Sequence, residues 1–134
     1  MVEVPLGQET LTVELPSCAV TTAVPDGGDA IEVPQASRDA VANPLGRSLS
    51  ERVDSSDEVA IVVTDVTRAT PDDILLDALF GEYGINREQA TVVVGLGLHR
   101  PMTDEEIERA LGEYADIAVN HDPDRTREVG TVEG

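Results

Sequence analysis

The alternation of short β-branched runs with helical stretches between residues 58 and 122 constrains the fold more than any other feature. Val59–Val63 and Ala90–Val94 are apolar runs typical of buried parallel strands, and residues 116–119 form a shorter third candidate. Strand, helix, strand, helix, strand is the order expected of a parallel sheet with right-handed crossovers. The sequence therefore predicts an α/β fold with a parallel, Rossmann-like sheet whose strands are buried on both faces.

The two stretches between these strands carry the signals of amphipathic helices. Thr70 precedes Pro71 and two acidic residues, which predicts an N-cap at Thr70, and Gly84 is the predicted C-cap. Thr103 and Glu106 form a predicted capping box at the start of the second helix. The predicted apolar faces hold Ile74, Leu75, Ala78 and Leu79 in the first helix and Ile107, Ala110, Leu111 and Tyr114 in the second.

The N-terminal part of the chain divides into two further segments. Residues 1–15 alternate apolar and polar side chains about a Pro-Leu-Gly-Gln turn, which predicts a β-hairpin. Residues 16–57 begin with Pro, Gly and acidic side chains and are predicted to be a connector with short helices at 35–42 and 48–53. The predicted organisation is a hairpin, a connector and a βαβαβ core over residues 58–122.

The chain is strongly acidic. It contains 27 Asp and Glu residues against nine basic residues, all of them Arg, for a formal net charge of −18. Because affinity for phosphate backbones and anionic headgroups comes from Lys and Arg, this composition argues against nucleic-acid and membrane partners. Abundant acid without Lys is expected of a protein that works in concentrated salt, where screening reduces self-repulsion, so we predict a halophilic source.

Signals for export or membrane insertion are missing from the sequence. The first residues show no basic segment followed by an apolar one, and no stretch approaches 18 consecutive apolar residues. Cys18 has no second cysteine with which to form an internal disulfide. We therefore expect a cytoplasmic protein.

Polar side chains gather where the three predicted strands end. These ends read Asp65-Val66-Thr67-Arg68, His99-Arg100 and Asn120-His121-Asp122. Ligands of open parallel sheets bind outside the carboxyl ends of the strands, and both histidines of the chain fall there. We therefore expect a functional site at this edge.

Several of these residues also have a purely structural interpretation. A turn-closing side chain explains Asp65 as readily as function does, and an exposed loop position explains His99 equally well. Arg68 differs, because a cation just before a helix N-terminus is poorly placed for a structural role. Function is therefore favoured for Arg68 alone among these three.

The alternatives are also open for the remaining strand-end residues. Arg100 precedes an acidic helix start, so an ion pair with Asp104 or Glu105 competes with substrate contact. A capped turn is the better explanation of His121. Neither a complete G-x-G-x-x-G, a P-loop lysine nor a zinc motif is present, so the residues themselves predict no dinucleotide or metal site on this chain.

Three segments at these strand ends resemble one protein family. They read D-V-T-R-A-T-P at residues 65–71, G-L-G-L-H-R-P-M-T-D-E-E at 95–106 and N-H-D-P at 120–123. Their combination and separation are similar to the N-terminal region of the nickel-pincer-dependent lactate racemase family. The resemblance runs through nearly all of the chain and covers only the first part of a longer family protein.

The resemblance implies an isomerase that interconverts the stereoisomers of a 2-hydroxy acid such as lactate. In this family a nickel pincer nucleotide takes a hydride from the α-carbon, and two histidines exchange the hydroxyl proton. His99 is implied to be one of these catalytic histidines, with Arg68 holding an anionic group of substrate or cofactor and Asp65 beside the cofactor. The other candidates in these motifs are the binding residues Thr67 and Arg100 and, as a further possibility, His121.

The sequence departs from the family pattern in one respect. Family enzymes attach the cofactor to a lysine and bind nickel through a further histidine downstream, whereas this chain has no lysine and ends at Gly134. We therefore expect residues 1–134 to be a partial, N-terminal domain that is inactive alone and needs the remainder of the polypeptide to complete the site. Two alternatives are a non-catalytic module that binds a small carboxylate through Arg68 and Arg100, and an inactive truncated remnant.

Overall fold

The protein forms two compact units, Met1–Ala30 and Ile31–Gly134. The structure is a computed structural model, which describes residues 1–7, 9–23, 27–128, 130 and 131. No helix among these described residues has the length and apolar character needed to cross a membrane.

The first unit contains an antiparallel hairpin. β1 (Val2–Leu6) pairs with β2 (Glu9–Val13). Gly7 directly follows β1 and has a φ of 64°, a conformation that glycine adopts without steric cost. The predicted hairpin is confirmed, but Pro5 lies in β1 and not in the turn, since a two-stranded hairpin consists of edge strands that tolerate a missing N–H. Gln8, also assigned to the turn, lies outside the described residues.

The second unit opens with α1 (Val33–Ala42). This helix ends before Asn43 and Pro44, as predicted from the effect of proline on the preceding residue. It begins two residues earlier than predicted because Pro34 is accommodated in its first turn. The second predicted helix is only a 3₁₀ turn over Leu49–Glu51.

Three parallel strands form the sheet of the second unit. They are β3 (Val59–Val63), β4 (Ala90–Val94) and β5 (Ala118–Asn120), and they lie in the order β3-β4-β5. The predicted α/β class is therefore confirmed. The predicted start of the third strand at residue 116 is wrong, because Gly112–Ile117 forms a 3₁₀ helix.

The first crossover contains α2 (Asp72–Tyr83). Its N-cap is Pro71, whose backbone is not yet helical, so the prediction of Thr70 as N-cap is wrong by one residue. Gly84 ends the helix in the left-handed conformation, with a φ of 60°, as predicted. The hydroxyl of Tyr83 donates a hydrogen bond to the Val41 carbonyl and so ties α2 to α1.

The second crossover contains α3 (Asp104–Leu111). It begins with the predicted capping box, in which the Thr103 hydroxyl accepts from the Glu106 amide at 3.2 Å and the Glu106 carboxylate accepts from the Thr103 amide at 2.9 Å. The side chains predicted for its apolar face do pack in the core, but Tyr114 lies in the 3₁₀ helix that follows and not in α3 itself. The apolar face predicted for α2 is wrong at one position, because Leu75 is exposed and Leu76 is the buried leucine.

The hydrophobic core lies on one face of the sheet. It is formed by Val63, Leu76, Val92, Val94, Leu96, Met102, Ile107, Leu111 and Tyr114. On the other face, Val62 remains 72% exposed and Val119 49% exposed. The prediction of strands buried on both faces is therefore wrong: strands that follow chain order with crossovers of one hand carry both helices on the same side.

Candidate functional site

The carboxyl ends of β3 and β4 lie side by side, and the candidate site lies just beyond them. The amide of Gly95 donates to the carbonyl of Val63 at 2.9 Å. A Cβ atom on Gly95 would lie 3.3 Å from both that oxygen and Val62 Cγ1, so glycine permits this close approach. The loops that carry Asp65 and His99 therefore leave the sheet from adjacent positions.

Asp65 is buried and is held by Thr67. Its Oδ1 accepts a hydrogen bond from the Thr67 amide at 2.9 Å and another from the Thr67 hydroxyl at 2.5 Å. The Thr67 hydroxyl, followed by His99 and the Thr67 amide, lowers the pKa of Asp65 to about 2. Asp65 is therefore an acceptor-only carboxylate at neutral pH.

His99 contacts this carboxylate directly. Its Nδ1 lies 2.5 Å from Asp65 Oδ2 and 3.5 Å from the Thr67 hydroxyl oxygen. Since the ionised Asp65 has no proton to donate, Nδ1 must carry the hydrogen of this bond, which fixes the tautomer of a neutral ring. Nε2 is then the nitrogen left to accept a proton, on a side chain that is 50% exposed.

A cleft of about 370 Å³ opens beside this pair of residues. It is lined by the ends of β3 and β4 and the loops that follow them, including Asp65, Arg68, Leu96, Leu98 and His99. Within the described residues, the guanidinium of Arg68 makes no ion pair. The cleft thus combines an oriented imidazole with a cation that is available for an anionic ligand.

Arg100 lies next to His99 in sequence but is engaged elsewhere. Its guanidinium forms a two-bonded ion pair with Glu106, at 2.8 and 2.7 Å, and donates to the Pro101 carbonyl at 2.8 Å. Hydrogen bonding to Arg100, and secondarily to the Thr103 amide, lowers the pKa of Glu106 to about 2. An ion pair was one of the two interpretations of Arg100, but its partner is Glu106 and not Asp104 or Glu105.

Comparison with protein families gives a clear assignment. The family described as the lactate racemase N-terminal domain matches residues 6–133. The chain belongs to this family. The resemblance identified from the strand-end motifs is therefore confirmed, while no curated protein sequence matches the chain.

His121, the second histidine of this lactate racemase N-terminal domain, lies outside the cleft. It follows β5, its amide donates to the Val94 carbonyl at 3.0 Å, and it lines a separate depression with Val119 and Arg125. The adjacent Asp122 accepts from the Asp124 amide at 3.0 Å, which is the capped turn favoured as the structural interpretation. The structure therefore brings together Asp65, Thr67, Arg68 and His99 but not His121 or Arg100.

Metal-ligating side chains do not cluster in the part of the domain that the structure describes. No three His, Cys, Asp or Glu side chains there lie close enough together to hold a metal ion. The described residues therefore do not fit the nickel ligand set, and a sequence without lysine does not fit the covalent attachment of the pincer nucleotide.

Two residues that anchor the site were given no role in it by sequence reasoning. The buried Asp72 accepts from the Thr64 hydroxyl at 2.9 Å and so fixes the end of β3 beside Asp65. Asn120 binds both backbone groups of Met102, beyond His99. In the sequence, Asp72 looks like any acidic residue in the first turn of a helix. Asn120 could be connected with the site only through its position at the end of a predicted strand.

Proposed function

We propose that this domain supplies an acid–base histidine and an anion-binding arginine to an isomerase that racemises a small 2-hydroxy acid such as lactate. The observation that carries the proposal is the contact between His99 and Asp65 at the rim of a cleft lined by Arg68. Membership of the lactate racemase N-terminal domain family supports the class of reaction. Apolar residues are part of the lining of the cleft, which suits a short alkyl substituent.

His99 is assigned the transfer of the hydroxyl proton. Asp65 accepts the hydrogen of Nδ1, so Nε2 presents its lone pair to the hydroxyl of a substrate in the cleft. When Nε2 takes up that proton, the ring becomes a cation, and the adjacent Asp65 carboxylate stabilises it. Release of the same proton returns the ring to its starting tautomer, so the residue can act in both directions.

We assign to Arg68 the binding of the substrate carboxylate. A planar guanidinium binds a carboxylate with two parallel hydrogen bonds, which fixes the orientation of the α-carbon as well as its distance. Arg68 lies three residues after Asp65 in the same loop, and its amide donates to the Asp65 carbonyl at 3.0 Å. The two functional groups are therefore held by one turn.

Three further candidates receive different assignments. Thr67 orients Asp65 through its hydroxyl and amide. Arg100 is given a structural role, because its guanidinium already forms a two-bonded ion pair with Glu106. His121 is given no catalytic role, since it lies outside the cleft.

Hydride transfer, the other half of the reaction, is not assigned to residues of this chain. In the family that the motifs resemble, a nickel pincer nucleotide supplies the hydride acceptor. The described residues offer neither its attachment lysine nor its nickel ligands. The proposal for this chain is therefore limited to substrate orientation and proton transfer.

Substitution of Arg68 tests the proposed function. In the holoenzyme that contains this domain, Arg68→Lys should raise the KM for lactate about 10- to 100-fold with a smaller change in kcat, since a lysine cannot make the two-bonded contact. Steady-state kinetics by chiral chromatography measures both constants. Arg38→Lys is the matched control, because Arg38 is an exposed residue of α1 whose guanidinium donates to Gln35. A KM unchanged in Arg68→Lys would contradict the assignment of the substrate carboxylate to this residue.

A further inference from the structure

The segment between His99 and α3 belongs to neither a helix nor a strand. The turn that precedes it is closed by the His99 amide, which donates to the Leu96 carbonyl at 2.9 Å. Beyond His99, side chains hold the backbone: Arg100 binds the Pro101 carbonyl and Glu106 the Thr103 amide. The placement of His99 therefore depends on side-chain contacts in this segment.

Asn120 makes the contact that joins this segment to the sheet. Its Oδ1 accepts from the Met102 amide at 3.0 Å, and its Nδ2 donates to the Met102 carbonyl at 2.9 Å. Asn120 is the last residue of β5 and pairs with Val94 in the sheet register. The carboxamide thus satisfies both backbone groups of one residue, as a neighbouring strand would.

The same contact fixes the chain close to the imidazole. Met102 is buried in the core at 4% exposure and lies three residues after His99. With the Leu96 turn on one side of His99 and the Asn120 contact on the other, the His99 backbone is held at both ends. A bond as short as that between Nδ1 and Asp65 requires placement to within a fraction of an ångström.

We infer that Asn120 is a positioning residue, which holds the loop so that His99 stays in contact with Asp65 and directs Nε2 into the cleft. The inference rests on the proposed function of His99 for its catalytic consequence. The inference also makes a geometric claim: loss of the Asn120 carboxamide loosens the contact between His99 and Asp65. This claim does not depend on catalysis and can be measured without substrate.

The test compares three variants of the chain by NMR. Asn120→Ala removes both bonds to Met102, whereas Asn120→Asp retains the acceptor of the Met102 amide and loses the donor. Gln89→Ala is the matched control, because the Gln89 carboxamide also binds backbone groups, near the opposite end of β4. Its Nε2 donates to the carbonyls of Asp54 and Asp57 at 3.0 and 3.1 Å, and its Oε1 accepts from the Asn86 amide at 3.3 Å. Thermal unfolding shows whether the variants are equally destabilised.

Two readouts report the contact itself. In the parent chain the Asp65 carboxyl carbon should titrate with a pKa of about 2, and the ¹⁵N shifts of a neutral His99 ring should show the Nδ1-protonated tautomer. In Asn120→Ala we expect the pKa of Asp65 to rise toward its ordinary value of about 3.9 and the ring to become a mixture of tautomers. Asn120→Asp should move both readouts in the same direction and Gln89→Ala neither.

Kinetics of the holoenzyme complete the experiment. Asn120→Ala should lower kcat about 10- to 100-fold and leave KM nearly unchanged, since Arg68 lies on the other loop. Unaltered readouts in Asn120→Ala, or equal changes in Gln89→Ala, would overturn the inference. Altered NMR readouts together with an unchanged kcat would uphold the geometry and refute instead the proposed role of His99.

Discussion

Replacing His99 by Asn should lower the rate of racemisation by a factor of about 10² to 10⁴, the usual contribution of a positioned acid–base group. The amide nitrogen of Asn can still donate toward Asp65 in place of Nδ1, so the loop retains its anchor. What the variant lacks is any counterpart of Nε2, the nitrogen to which we assign the proton transfer. The substitution thus separates proton transfer from local structure.

The measurement is the initial rate of conversion of each lactate enantiomer by the holoenzyme. Far-UV circular dichroism and the unfolding midpoint serve as controls for the fold, because a side chain that is half exposed contributes little to packing. Persistence of the parent rate would remove His99 from the mechanism and favour the interpretation of this domain as a carboxylate-binding module.

Replacing Asp65 by Asn should reduce the rate about as severely, on the order of 10³- to 10⁴-fold, for a different reason. The amide can donate to Nδ1 where the carboxylate could only accept, so the ring is expected to adopt the tautomer with its proton on Nε2. A ring in that state cannot accept the hydroxyl proton. We therefore expect the loss to appear mainly in kcat.

Asp54→Asn provides a matched control. Asp54 accepts from the amide and hydroxyl of Ser56 at 2.8 and 2.6 Å, which reproduces the contact of Asp65 with Thr67 but has no histidine beside it. The pKa of Asp54 is also lowered, chiefly by the Ser56 hydroxyl. A loss of rate in Asp65→Asn but not in Asp54→Asn assigns the effect to the imidazole and not to the turn.

Asp65→Asn should also change how the stability of the domain depends on pH. Since folding lowers the pKa of Asp65 to about 2 from an ordinary value of about 3.9, the unfolded chain binds the proton first as the pH falls. The contribution of Asp65 to stability is therefore fully present above about pH 4 and is lost as the pH falls toward 2. Denaturant midpoints at pH 6 and pH 3 should show parent and Asp65→Asn converging at the lower pH. A constant difference between them would contradict the lowered pKa.

Local signals in the sequence were sufficient for much of the fold. The β-branched composition of β3 and β4 determines their conformation, and Gly84 and the Thr103–Glu106 capping box end and begin helices through contacts within one turn. The start of β5 was misjudged because apolar residues before it fit a 3₁₀ helix as well as a strand. One-sided burial was missed because β-branched residues indicate a strand but not how many of its faces are covered.

The candidate site was only partly predictable for similar reasons. The rule that ligands bind at the carboxyl ends of strands singled out Asp65 and His99, which lie 34 positions apart and are in contact in the structure. Their contact through Nδ1 depends on loop geometry that no spacing rule describes. The pairing of Arg100 with Glu106 was missed because a separation of six residues across a loop is not a regular helical spacing.

The single helical layer on the sheet has a thermodynamic consequence. Because side chains such as Val62 and Val119 are already in contact with water in the folded domain, unfolding exposes less new apolar surface than in a sheet covered on both faces. Calorimetry should therefore give a heat-capacity increment below the usual value of about 12 to 15 cal/mol/K per residue. A smaller increment flattens the curve of stability against temperature, so the domain should lose stability more gradually on either side of its optimum.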